Sequence, residues 1–187
     1  PPTSDLDLAV YSIALIDNRT AWVSGNSSTL GQVIQKVSLD PSVPSVTITL
    51  NTQADEIITL PDGGVAARGF FTTVNGQSQS YVARFGPDGS LATGQITSGI
   101  TTRPASFAVD SAGRLLIGEG GTDIRRFNSD GNIDAGFVPV SFGFNASIES
   151  IAVDGGSIYV GGRFTSSGAN TAGNYLSKLN SEGSRDA

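Results

Sequence analysis

The chain has no cysteine and no histidine. The first absence removes disulfides, zinc–thiolate sites, iron–sulfur clusters and a thiol nucleophile. The second removes the Ser-His-Asp triad, imidazole metal ligands and an imidazole base. Positive charge is scarce as well: 11 Lys and Arg stand against 17 Asp and Glu, for a net charge of −6. That balance argues against a phosphate-backbone binder, so no nucleic-acid partner is expected. No run of 18 apolar residues occurs, and no membrane insertion is expected. Charged residues make up only 15% of the chain. What is left holds little catalytic equipment, and neither an enzyme nor a cofactor is expected.

Glycine is what the chain has in excess, 24 of 187 residues, about twice the usual share of ~7%. The length suits about one domain. The chain opens Pro1-Pro2-Thr3-Ser4 without a charged-then-apolar leader, which fits a processed product or a segment of a longer protein. Abundant Ser, Thr, Asn and Gly with low charge suit an extracellular, cell-surface or virion protein.

A repeat organises the sequence. Four segments share one order: apolar strand, turn, short apolar strand ending in Gly, variable loop, third strand, polar turn. First strands read YSIAL (11–15), EIITL (56–60), SFAV (106–109) and ESIAV (149–153). Second strands read AWVSG (21–25), VAARG (65–69), LLIG (115–118) and IYVGG (158–162). Their closing glycines are Gly25, Gly69, Gly118 and Gly161, spaced 44, 49 and 43 apart. Third strands read VIQKVSLD (33–40), YVARFGPDG (81–89), IRRFNSDG (124–131) and YLSKLNSEG (175–183). Val, Ile, Tyr and Phe fill the runs while Gly, Asp, Asn and Ser punctuate them, as short antiparallel strands require. Pro-Asp-Gly and Asp-Gly-Gly supply the positive φ that hairpin turns need. No window carries helical apolar spacing. Fourth strands are expected at 45–50, 91–97 and 136–142. The repeats run approximately 8–52, 53–98, 99–143 and 144–187, in one domain spanning 1–187.

A unit of this size with three or four strands matches a propeller blade. The segments RFNSDGNIDAGF, RFGPDGSL and KLNSEGSRDA, following GGRFTSSG and RGFFTTVNG, resemble the delta-60-repeat β-propeller family. The likeness covers nearly the whole chain and is strongest in the second and fourth repeats. It departs in the first, where residues 26–31 replace the Phe-Thr loop, and in the third, where the loop is short. The resemblance implies a bacterial or phage surface protein and carries no general activity. The expected fold is all-β and β-propeller-like, with four blades visible. Two arrangements stay open: residues 6–10 supply the last strand of the fourth blade and close the ring, or the chain is part of a larger propeller or an assembly.

Polar residues suggest several chemistries. Lys36, Arg84, Arg126 and Lys178 hold one position in the third strands. They could line an anion channel; ion pairing with turn carboxylates such as Asp62, Asp110 or Asp154 is the expectation. Asn128, Asp130, Asn132 and Asp134 resemble half a calcium loop. However, the sixth and twelfth places hold Ile133 and Pro139, where an EF-hand needs Gly and Glu. A β-turn is expected there, with Asp130 and Asp134 as the remaining weak calcium candidates. Glu56 and Glu149 open first strands at matching places and are the candidate carboxylates of a glycoside-active enzyme. Two long polar loops, 70–80 and 163–174, begin with Phe-Thr. Phe71 and Phe164 are expected to tuck into the packing, leaving Asn75, Gln77, Gln79, Asn170 and Asn174 exposed for a protein partner or surface glycan. The leading expectation is therefore a non-enzymatic structural and interaction module, such as a phage tail or fibre component or an adhesin, with protein partners or a homo-oligomer. A glycan-binding, lectin-like propeller is the alternative, and a carboxylate-dependent glycoside-active enzyme the third.

Overall fold

In a computed structural model, residues 7–94, 96, 99–119, 123–140, 142, 147–165 and 174–186 are described. Among them there are strands, turns and loops but no helix. The chain divides into two compact units, Pro1–Thr97 and Ser98–Ala187, and the division falls at the junction of the second and third repeats.

In the first unit, β1 (Leu8–Leu15), β2 (Thr20–Ser27), β3 (Gly31–Ser38) and β4 (Val46–Thr49) form an antiparallel meander. The second repeat pairs β5 (Ala54–Thr59) with β6 (Val65–Gly69). A small hairpin, β7 (Thr73–Val74) and β8 (Gln77–Ser78), then leads to β9 (Val82–Phe85), which joins β6. In the second unit, β10 (Ser106–Val109), β11 (Leu115–Gly118) and β12 (Ile124–Phe127) form the third sheet. β13 (Ser147–Asp154), β14 (Ser157–Arg163) and β15 (Leu176–Leu179) form the fourth.

Fourth strands differ from expectation. Only β4 forms one. In the later repeats the chain makes a single bridge after its third-strand turn, Leu91 to Phe85, Ile133 to Phe127 and Arg185 to Leu179. The cause lies in the segments that follow: 136–142 carries Pro139, and its amides at Val138 and Val140 instead reach the Glu182 and Gly183 carbonyls of the fourth-repeat turn. Residues 8–10 do not complete the fourth sheet either. They extend β1 and pair with Gly25, Asn26 and Ser27 of the first repeat's own ladder; Leu6 lies outside the described residues.

The glycine period has a structural cause that corrects its register. The first strand carries a β-bulge at Tyr11, Asp55 and Glu149 in the first, second and fourth repeats. The bulge pushes a carbonyl of that strand against the second strand. A Cβ at Gly25 would stand 2.4 Å from the Ala9 oxygen, at Gly69 2.2 Å from the Gln53 oxygen, and at Gly162 2.0 Å from the Ser147 oxygen. The fourth-repeat member of the set is thus Gly162, not Gly161. By pairing, Gly118 and Gly161 are equivalent to Ser24 and Arg68, one residue earlier. The third repeat has Glu119 at the next position, and β10 begins at Ser106, after the place where the other first strands bulge.

Each sheet buries a face by stacking. Trp22, Ile34 and Ile48 of the first repeat pack with Ile57, Phe71 and Phe85 of the second, and the Trp22 indole N–H donates to the Gly63 carbonyl at 3.1 Å. Leu116 and Ile124 of the third repeat pack with Ile148, Ile151 and Ile158 of the fourth. Phe142 meets Phe164 edge-on at 4.9 Å. Burying one such side chain contributes about 1.5–3 kcal/mol.

The bulge argument yields a paired expectation. Gly162→Ala, which drives a methyl into a backbone carbonyl, should cost about 1–3 kcal/mol. Gly161→Ala, whose Cβ meets nothing closer than 3.9 Å, should be neutral or stabilising by up to about 1 kcal/mol. Urea unfolding in dilute solution separates the two.

Candidate functional site

The repeated cations emerge from third strands, where period-two alternation places them on the face that carries Trp22 and its equivalents. Lys36 lies opposite Trp22, with its ammonium 5.9 Å from the ring centroid, and donates to the Pro87 carbonyl in the second repeat's turn at 3.0 Å. Arg126 makes the equivalent reach in the second unit, donating to the Ser181 carbonyl in the fourth repeat's turn. Arg126 also pairs with Asp134 at 2.8 Å, and Lys178 pairs with Asp186. The two carboxylates are equivalent, because the Asp134 and Asp186 amides donate to the Arg126 and Lys178 carbonyls. Arg84 is buried; burial pulls its pKa down while nearby Asp62 works the other way. The cations of the first and third repeats thus bind turn carbonyls of the following repeat, and Arg126 and Lys178 find their carboxylates within their own repeats. For Lys36 and Arg126 the hydrogen bond across repeats goes to a backbone carbonyl, while the turn carboxylates Asp88 and Glu182 lie close enough to feel the charge.

A cavity of about 210 Å³ lies between the turns of the third and fourth repeats, lined by residues including Asp110, Arg114, Arg126, Asp154 and Ser181. Its guanidiniums are already engaged: Arg114 holds Asp110 at 2.7 Å and Asp134 at 3.5 Å. For Asp134, burial acts to raise the pKa, but the Gly136 amide and the Arg126 and Arg114 guanidiniums together hold it below the ordinary value. Glu182 is lowered by the Ser181 hydroxyl, with Arg126 and Arg114 adding to it.

Several other carboxylates are held by turn amides or by arginines. Asp130 accepts the Asn132 amide at 2.9 Å and Gly131 sits at φ 82°, the expected β-turn. Hydrogen bonds of the same Asx type lower Asp17, Asp40, Asp88 and Asp130. No group of acids that could hold a metal is found among the described residues. Glu56 bonds Arg68 at 2.6 Å and Glu149 pairs with Arg163 at 2.8 Å. The two glutamates are not equivalent: Glu149 is the bulge residue, whereas Glu56 follows its bulge.

The polar loop of the second repeat is a braced hairpin. Asn75 at φ 46° and Gly76 at φ 77° form its turn, the pair of positive φ values that suits a two-residue hairpin. The Asn75 side-chain oxygen accepts the Thr49 amide at 2.9 Å, and Asn51 accepts the Thr72 and Thr73 amides at 2.9 and 3.0 Å. Hence Asn75 is a brace toward the first repeat. Gln79 is a correction: it is buried, and its amide donates to the Val82 carbonyl at 2.5 Å. Gln77 and Asn174 are exposed; Asn170 lies outside the described residues. Phe71 and Phe164 are buried as expected.

Two features escape sequence reading. Tyr81 and Tyr175 adopt φ 66° and 63°. Each is the centre of a positive-φ γ-turn, closed from Val82 to the Ser80 carbonyl at 2.7 Å and from Leu176 to the Asn174 carbonyl at 2.8 Å. Such turns are rare and strained, and their equivalence was signalled only by Tyr standing first in both third strands. Ser12 and Ser106 are the second feature. Each hydroxyl accepts the first-strand amide of the following repeat, Ile57 at 3.2 Å and Ile151 at 2.9 Å.

Comparison with known proteins agrees with this architecture. A family model described as "Domain of unknown function (DUF5122) beta-propeller" matches residues 60–93, 113–137 and 156–187. The extracellular domain of a protein titled a hybrid two-component system from B. thetaiotaomicron is similar at 18% identity and TM-score 0.52, over 92% of this chain and 21% of that one. The chain therefore spans about a fifth of that structure's length. A protein of unknown function from Bacteroides caccae aligns at 16% identity and TM-score 0.36, over 94% of this chain and 79% of that one. No curated protein matches. The chain is all-β and β-propeller-like, built from repeats of a propeller type.

The buried pair sets an expectation. Asp134→Ala, which leaves the Arg126 guanidinium buried without its carboxylate, should cost about 3 kcal/mol. The lowered Asp and Glu values also fix a sign. Their contribution to stability is full above the unfolded carboxylate pKa of about 4 and is lost as pH falls through the folded values. The urea midpoint should accordingly stay flat from about pH 7 to 5 and decline below about pH 4.

Proposed function

We propose that the chain is a non-enzymatic interaction module acting outside the cell, on a surface or a virion, in the manner of a tail, fibre or adhesin-like component. The observation that carries this reading is the braced hairpin of the second repeat. Asn51 and Asn75 fix its backbone to the first repeat, while Gln77 stands exposed and uncharged next to the turn. A rigid loop loses little entropy on binding, and an amide can both donate to and accept from a partner.

Two further points support it. Glu56, Glu149 and Asp134 are each held by an arginine, and the displaced carboxyl pKa values described above all move down. A general acid needs the opposite shift. The similar structure from B. thetaiotaomicron is titled an extracellular domain, which favours the same side of the membrane for this chain.

Gln77 also favours a lectin-like form of the same reading, since amides suit sugar hydroxyls. A glycan array and a polysaccharide hydrolysis panel test the proposal together. No release of reducing ends is expected, with or without Glu56→Gln and Glu149→Gln. Any glycan bound should lose several-fold in affinity with Gln77→Ala, the loss of about one hydrogen bond of 0.5–1.5 kcal/mol. Hydrolysis abolished by either glutamate substitution would overturn the proposal.

A further inference from the structure

The positions that other repeats bury are open at two places. By strand pairing, Trp22, Ala66, Leu116 and Tyr159 are equivalent, as are Ile34, Val82, Ile124 and Leu176. The first three of each set are at most 2% exposed, whereas Tyr159 is 38% and Leu176 64% exposed. On the opposite side of the repeat, Ile13 is equivalent to Ile57, Phe107 and Ile151. The latter three are buried; Ile13 is 60% exposed.

We infer that the outer face of the fourth repeat docks the first strand of a second copy of this chain, head to tail. Contacts already made inside the molecule define the fit. A Cβ at Gly118 would meet Ile148 at 2.8 Å and Ile151 at 3.3 Å, so the fourth repeat's first strand fills the space over that glycine. Gly161 is its equivalent and meets nothing closer than 3.9 Å. The residues equivalent to Ile148 and Ile151 are Val10 and Ile13 of the first repeat, both exposed. One strand thus carries the side chains that the other face has room for.

The polar contacts repeat in the same way. Ser150 is equivalent to Ser12 and Ser106 and is exposed; its hydroxyl is placed to accept the Ile13 amide of the second copy. Lys178 holds the place from which Lys36 and Arg126 reach the next repeat's turn carbonyl. The matching carbonyl on the second copy is that of Leu39, in an exposed turn. Because the two faces differ, the contact is heterologous and forms rings or open chains rather than an isologous pair.

The absence of cysteine makes the test direct. Gly161→Cys and Ile13→Cys chains, mixed under mild oxidation, should give a disulfide-linked product of twice the 19.2 kDa chain. Each variant alone should give far less. Light scattering of the unmodified chain should show a concentration-dependent mass above the monomer. Leu176→Asp should weaken self-association at least ten-fold and leave the urea midpoint of the dilute chain unchanged. A monomer up to about 1 mM, or self-linking of either single variant as fast as the mixture, would overturn the inference. Glycan binding or its loss at Gln77 is read independently, so either proposal can fail alone.

Discussion

A sheet of three or four short strands cannot hold itself together in water, because one apolar face stays wet unless something covers it. In this chain the cover is the first strand of the following repeat, as the first and third repeats show. The contact is anchored by a serine hydroxyl that accepts an isoleucine amide, Ser12 with Ile57 and Ser106 with Ile151. That bond fixes the height of one first strand against the next. The cation reaching from the third strand to a turn carbonyl fixes the far edge. Between these two pins lie Trp22 and Ile34 in one unit, and Leu116 and Ile124 in the other. The hydrophobic term supplies most of the energy; the pins choose the alignment.

The bulge serves the same arrangement. An extra residue at Tyr11, Asp55 or Glu149 bends the first strand and sharpens its twist. The bend brings a carbonyl onto the second strand and only glycine leaves room. The third repeat carries Glu119 in place of that glycine, and the ladder of its first strand begins only at Ser106.

Much of this was legible in the sequence because it is periodic. Strand positions, the Asp-Gly turns and the burial of Phe71 and Phe164 follow from alternation and turn chemistry. The bulge was not legible, since an inserted residue leaves no mark in a pattern read by eye, and the error appears as Gly161 taken for Gly162. Among the described residues the later fourth strands do not form, because apolar residues after the turn, such as Phe137 and Phe142, are buried by the core rather than by a ladder. Gln79 was read as surface because amides usually are, and it is buried; Asn75 is exposed but braces the Thr49 amide. Sequence carries no sign that a neighbouring carbonyl or amide waits to be satisfied, yet both side chains are spent on backbone groups.

The cations show how one position acquires different roles through its surroundings alone. Lys36, Arg84, Arg126 and Lys178 share a place in the strand. Where a repeat follows within the unit, the charge is turned to a carbonyl and its stem lies along apolar surface, as an amphipathic side chain can. Arg126 is only 5% exposed and needs Asp134 to remain there. Lys178 keeps the equivalent aspartate but at the surface, where a pair is held loosely by comparison. The repeat therefore specifies a contact, and burial decides whether that contact is strong. An end face built to the same specification keeps the geometry of an interior one while remaining open to water, which is what makes it suitable for recognising another copy of the same module.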